Sequence, residues 1–366
     1  MTYKNSIIPA LITALSSLTV MHSALAAPPS FHKSYYIHPN GNDQALGSMS
    51  APYKTIQHAL KQARAGETIV LMEGVYLQDV KSVHAGTADK PIRIVGLPGA
   101  IVKGAGNTSI FDIRHSYIEL NHFTIDGLFN KKKKAAGYRK KLVYIKALKN
   151  KKITGVKLLY MTIQNARDEC VRIKYQAHHN EVAFSKILDC GIEDYVYGDP
   201  TKNHNGEAIY IGTAPEQIKV GKNPTKHVDR SNENWIHHNY IEPNGSECVD
   251  VKEGSEKNLI EFNACKHEKD KNVGGISIRG NNNTIRNNHV TDNDGAGIRL
   301  GGDTADQGIN NHVYNNHLAN NMNSGLKIMT QPQGKICDNT IITRERQKKV
   351  RVKSGMSSNN YTKKCR

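Results

Sequence analysis

The chain has 366 residues, 50 Lys plus Arg against 33 Asp plus Glu, and a formal charge of +17 with neutral His. Only 38% of residues are hydrophobic and 6% aromatic, which with abundant Asn and Gly excludes a membrane bundle and an assembly of long helices. The cationic excess points to an acidic partner, and frequent Val and Ile among 23% charged residues supply a core and exclude wholesale disorder.

Residues 1–26 read as a secretory signal peptide. Lys4 is the positive start, Ile7 to Val20 is largely apolar, and Ala24, Leu25 and Ala26 form a small-x-small site before Ala27. A secreted or periplasmic location is therefore expected, with no membrane span in the mature chain. All six cysteines (Cys170, Cys190, Cys248, Cys265, Cys337 and Cys365) follow that segment, and an even count in an oxidising space predicts disulfides. Six cysteines allow 15 pairings, so connectivity stays open, although Cys337 with Cys365 would tie down the tail.

Residues 27–110 are expected to form an N-terminal cap and the first coils. Tyr35 to Gly41 reads as a strand and turn. Thr55 to Ala65 places Ile56, Ala59, Leu60 and Ala63 on one helical face, and Glu67 to Met72 reads as another strand. A helix there would plug the open end of a core.

Residues 111–343 carry a repeat. Segments 234–239, 258–263, 283–288 and 311–316 share an Asn-x-hydrophobic-x-x-Asn pattern, with starts 24, 25 and 28 residues apart and weaker copies at 116–121 and 180–185. Each is followed by a second short alternating segment, as at 170–173, 208–211, 248–251, 275–278, 297–300 and 325–328. Two strands per period of about 25 residues predict an all-β fold, a single-stranded right-handed parallel β-helix (β-solenoid) with a short N-terminal helical cap. The Asn residues are expected at turns, tolerating left-handed backbone and laddering between coils. Residues 344–366 read as a basic tail or irregular cap. The basic run Lys131 to Lys141 is either a solvated loop or a phosphate or uronate contact. Nucleic acid is not expected, because aromatic residues are not interleaved among the basic ones and the chain is exported.

In such a helix, outward residues of equivalent strands stack in columns. The second strands give Arg172, Tyr210, Asp250, Ser277, Arg299 and Lys327 at the first outward position, and Lys174, Gly212, Lys252, Arg279, Gly301 and Met329 two residues later. This reads as a long, shallow, mostly cationic groove for an extended polyanion, at a cost in like-charge repulsion between neighbouring strands that points to function. Arg172, Lys174, Arg299, Lys327 and Asp250 are the candidate substrate-binding residues. Glu207 and Glu247 stand one repeat apart just ahead of two central strands, beside Asp250. They either hold a calcium ion or neutralise the cations around them.

The run Glu247-Cys-Val-Asp-Val-Lys252, with Gly275 to Gly280 and Gly297 to Gly302 on the following coils, resembles polysaccharide lyase family 6, which includes chondroitinase B and alginate lyases. The resemblance implies a metal ligand at Glu247, a catalytic base at Lys252 and its paired cation at Arg279. The chain departs from the family pattern at Gly245, where a second acidic ligand is expected, and at Gly280, where a His is expected. Segments 36–43 and 51–56 also resemble the cap of secreted β-helix proteins, family 9 pectate lyases among them.

Chemistry supports these residue types independently. β-Elimination removes a weakly acidic proton beside a uronate carboxylate, whose charge a calcium ion or Arg279 and Arg299 would neutralise. Lys252 is expected to be pulled below its usual range of about 10.4 by neighbouring cations and partial desolvation, and Tyr210 is either a proton donor or a sugar-stacking platform. The expected function is cleavage of a uronic-acid polymer of alginate, chondroitin/dermatan or pectate type by a monomeric lyase. Carbon-5 epimerisation and binding without catalysis are the alternatives. Inverting hydrolysis fits less well, since the column offers Asp250 alone where two carboxylates are required.

Overall fold

The computed structural model describes residues 33–106, 108–198, 205–357 and 361–365; the expected signal peptide lies outside them. Within the repeats each coil makes three strands, not two. Trp235–His237 belongs to an eleven-stranded sheet (sheet I), Tyr240–Glu242 to a ten-stranded sheet (sheet II) and Val249–Val251 to another ten-stranded sheet (sheet III). Every strand pairs in parallel with its equivalent one coil away, as Trp235 with Leu259, Tyr240 with Ala264 and Asp250 with Ser277. Three parallel sheets wound from one continuous chain make a right-handed parallel β-helix, as the periodicity predicts.

The third strand escapes the sequence pattern because so little separates it from the first. His238 takes φ 53° and Phe262 φ 54°, and in each case a single following Asn completes the corner. The ladder Asn residues themselves are not the left-handed ones. Positive φ falls on the residue before each, at Glu233, His238, Lys257 and Phe262, which frees the Asn side chain to turn inward. There Asn234 Nδ2 donates to Asn258 Oδ1 at 2.9 Å, Asn258 to Asn283 at 3.0 Å and Asn283 to Asn311 at 3.3 Å. A second ladder runs Asn239, Asn263, Asn288, Asn316, Asn339. Every rung is buried except the last, so each amide satisfies groups that water cannot reach.

Inward columns such as Ile236, Ile260, Ile285 and Val313 are fully buried, each side chain contributing about 1.5–3 kcal/mol. The cap helix is Ile56–Gln62. Thr55 caps it by accepting from His58 N, and Ile56, Ala59, Leu60 and Ala63 all face the core as expected. At the other end Val350–Val352 adds a strand to sheet III and Cys337 is bonded to Cys365. The basic run forms a 3-10 turn, Lys131–Gly137, with exposed lysines. Among the described residues no helix is long and apolar enough to cross a membrane.

Candidate active site

The outward face of sheet III carries the candidate residues. Its register places Arg172 beside Tyr210, Tyr210 beside Asp250, Asp250 beside Ser277, Ser277 beside Arg299 and Arg299 beside Lys327, the column expected from the sequence. Val249 and Val251 alternate with Asp250 and are buried in the core. Two disulfides, Cys170–Cys190 and Cys248–Cys265, anchor strands Val171–Lys174 and Val249–Val251 from within the core.

At the centre, Glu207, Glu247 and Asp250 each bring one carboxylate oxygen within 4.8 Å of the other two. All three are buried. Burial first, and then the facing Glu247, push the Glu207 carboxyl up to about 8. Burial and then Asp250 raise Glu247 in the same direction. Ser246 Oγ donates to Glu247 Oε2 at 2.6 Å, Gly206 N to Glu207 Oε2 at 3.0 Å, and neither Asp250 oxygen has a hydrogen bond of good geometry. Buried, converging, underdonated carboxylate oxygens suit a hard divalent cation, so the residues present fit calcium.

Lys252 Nζ lies 2.7 Å from Asp250 Oδ2, and Arg279 Nε lies 3.8 Å from Asp250 Oδ1. The expectation that cations depress Lys252 is reversed. Burial favours the neutral amine, but the Asp250 carboxylate overrides it and holds Lys252 above the ordinary lysine range. Gly212 on the preceding coil keeps this space open: at φ 86°, a Cβ there would strike Ser255 Oγ at 2.4 Å and crowd Lys252 Cβ at 3.3 Å.

Tyr210 is sandwiched between cations, with the Arg172 guanidinium 3.2 Å and Lys252 Nζ 4.7 Å from its ring centre. It is 3% exposed, so it offers no face to a sugar and the stacking reading falls. Arg172 and Lys174 point away from the core yet are 3% and 4% exposed. They do not line a shallow groove, as expected; Gln217 Oε1 accepts from Arg172 at 3.1 Å and the Lys222 carbonyl from Lys174 at 2.9 Å. Burial and then Arg172 lower Lys174 to about 7. Arg299 is buried, donating to the Gly301 carbonyl at 2.6 Å. Lys327 is half-buried and bonds the Asn272 carbonyl at 2.6 Å. The column is therefore largely buried and roofed at its Arg172 end, and like charges adjoin at both ends, Lys146 beside Lys174 at one and Arg299, Lys327 and Arg351 at the other.

The column reading missed Glu169, which lies 2.5 Å from Lys141 and 3.5 Å from Arg172. A signal was present: Glu169-Cys-Val-Arg-Ile-Lys174 repeats the frame of Glu247-Cys-Val-Asp-Val-Lys252. It also missed Gln217 and Asp229, for which short polar segments between strands carry no periodic mark.

Residues 227–365 match the family model described as right handed beta helix region. An alginate lyase from Paenibacillus sp. str. FPU-7 has a similar structure, with TM-score 0.61 and 18% identity over 84% of this chain and 96% of that one. The likeness is one of fold, the right-handed β-helix. It extends to pectate lyase Pel9A (TM-score 0.53, 15% identity, 86% of this chain and 78% of that one). It extends equally to GH136 lacto-N-biosidase from Eubacterium ramulus (TM-score 0.58, 14% identity, 87% and 65%), so this β-helix is shared by lyases and a glycosidase. In sequence, 57 residues are 42% identical to the uncharacterized protein YwoF of Bacillus subtilis and 58 residues are 41% identical to pectate lyase PEL9 of Emericella nidulans. These segments are 16% and 15% of this chain and span only 12% and 14% of those relatives.

Proposed function

We propose that the protein is a secreted polysaccharide lyase that cleaves a uronic-acid polymer by β-elimination. The observation that carries this reading is the convergence of Lys252 and Arg279 on Asp250, beside the Glu207 and Glu247 carboxylates, on the outward face of sheet III. The similar alginate and pectate lyases support it as analogy of fold.

Arg279 pairs with the substrate carboxylate and so acidifies the neighbouring C5–H. Only the neutral amine of Lys252 can accept that proton, so the step runs through the deprotonated form that Asp250 disfavours, and Nζ then carries the abstracted proton as the ammonium. The C5–H electron pair becomes the C4=C5 double bond, the C4–O bond breaks, and the departing oxygen is protonated, with the Tyr210 hydroxyl as the donor. Burial raises the Tyr210 phenol, so it holds its proton at neutral pH. Glu207, Glu247 and Asp250 would hold calcium, which when bound neutralises the substrate carboxylate and takes charge from Asp250, weakening the grip of Asp250 on the Lys252 proton.

The test is the ultraviolet absorbance of the conjugated double bond over alginate, chondroitin/dermatan and pectate, with calcium or with a chelator. A rise that disappears in Lys252→Ala is expected. The carboxylate pair favours one other reading. Glu207, protonated up to about 8, lies within 4.8 Å of Glu247 and Asp250, a little under the spacing of about 5–5.5 Å in retaining glycosidases. New reducing ends without absorbance would replace elimination by hydrolysis.

A further inference from the structure

After strand Ile209–Ile211 the chain leaves its coil at Thr213 and returns only at Ser231, with a short helix, Pro215–Lys219, on the way. This excursion does not project into solvent. It folds back over the preceding strand of sheet III, Val171–Lys174. Gln217 accepts from Arg172, the Lys222 carbonyl accepts from Lys174, and the Asp229 carboxylate takes the backbone N–H groups of Tyr175 at 2.7 Å and Gln176 at 3.2 Å. Thr213 Oγ1 donates to Asp229 Oδ2 at 2.6 Å, clasping the two ends of the excursion together. Asp229 and Thr213 are fully buried, so the cover is built into the coil.

The consequence is an asymmetric groove. Toward the N-terminal coils, the outward column goes under this cover immediately beyond Tyr210. Toward the C-terminal coils it opens: Arg279 and Lys327 are partly exposed and Arg351 is exposed. In that direction Lys327 and Arg351 stand one per coil in register, next to a buried Arg299, at the interstrand spacing of about 4.8 Å. A polyanion can lie along these cations with its end against the cover, but cannot thread past Tyr210.

We propose that the groove is blind at the Arg172 end, so that a uronan is bound by one terminus and shortened from it, with the 213–230 excursion as the stop. This rests on the uronan-lyase reading above. It makes the protein a chain-end enzyme that releases products of one short size, and it assigns Lys327 and Arg351 to successive sugar residues on the polymer side.

Two measurements on the unaltered protein test it. During cleavage of long alginate or pectate, absorbance should climb while viscosity falls slowly, with a single short product from the earliest time. A viscosity collapse while few bonds are broken, with a ladder of intermediate sizes, overturns the proposal. In calorimetric titrations with oligoalginates or oligogalacturonates of two defined lengths, end binding gives one protein per chain at both lengths; several proteins on the longer chain overturn it. One-per-chain binding without absorbance would remove the lyase reading and leave the blind end standing, whereas no binding to either series removes both. Replacing residues 215–222 by a short Gly-Ser turn, with thermal melting to check folding, should move cleavage several-fold toward internal bonds.

Discussion

Two coils of the same tube start from the same six-residue frame and end in opposite electrostatic states. Residues 169–174 and 247–252 both read Glu-Cys-Val-x-x-Lys, and both cysteines enter disulfides in the core. In the first, Arg172 occupies the outward position before the lysine, the 213–230 excursion covers both, and Lys174 falls to about 7. In the second, Asp250 occupies that position, and Lys252, largely buried but without that cover, rises above its ordinary range. One carboxylate within 4 Å is worth roughly 4 kcal/mol at the effective dielectric of such sites. That suffices to overcome burial. The frame supplies position, and the single variable outward residue decides whether the lysine is a charged group in a site or a depressed amine under a plug.

The comparison breaks most directly on turnover. On a cleaved uronan, Lys252→Ala should lower kcat by about 10²–10⁴-fold, while Lys174→Ala should change it by less than about 10-fold; equal losses in steady-state absorbance assays would erase the functional difference between the coils. Stability sharpens it next. With a folded value of about 7 against an ordinary 10.5, Lys174 binds fewer protons folded than unfolded between those limits. Its penalty is complete below pH 7 and relieved as pH rises toward 10.5. Unfolding free energies from urea titrations should therefore be a few kcal/mol higher for Lys174→Met than for the parent at pH 6, with the gain fading by pH 10. Lys252→Met should show no such gain.

The disulfides close loops of 20 and 17 residues, so opening either by Cys→Ser pairs should cost about 3 kcal/mol in denaturant. Only the Cys248–Cys265 pair should also lower turnover. The smallest expected effect is that of calcium. At 100 times its dissociation constant it should stabilise by about 2.7 kcal/mol, read as a higher Tm that a chelator reverses and Glu247→Gln abolishes. Because Glu207 must lose a proton held up to about 8, the gain should be larger at pH 9 than at pH 6.

Most of the tube was legible because inward Ile and Val recur at the coil period and the Asn pairs mark each corner. The cap helix was legible from Thr55, Ile56, Ala59 and Leu60. The third strand was not, since three residues between a left-handed corner and a loop carry too little alternation. The outward column could be read because a strand has period two, so Asp250, Lys252 and Arg279 came out together. Its burial and the sense of the Lys252 shift could not be read. Both depend on what lies over and beside a residue: the 213–230 excursion crosses to another coil, and the 2.7 Å approach of Lys252 to Asp250 is a rotamer, not a spacing.

The Asn ladders also bear on how such a molecule can change. Each amide makes the same contacts to the rung before and the rung after, so a whole coil duplicated between Asn258 and Asn283 would meet a ready-made partner on both sides and preserve the inward columns. Groove length is thereby separable from groove chemistry. On the proposed function, the number of sugar units held can grow or shrink in whole-coil steps while the Lys252 coil stays as it is, and substrate reach becomes a counting variable in the genome.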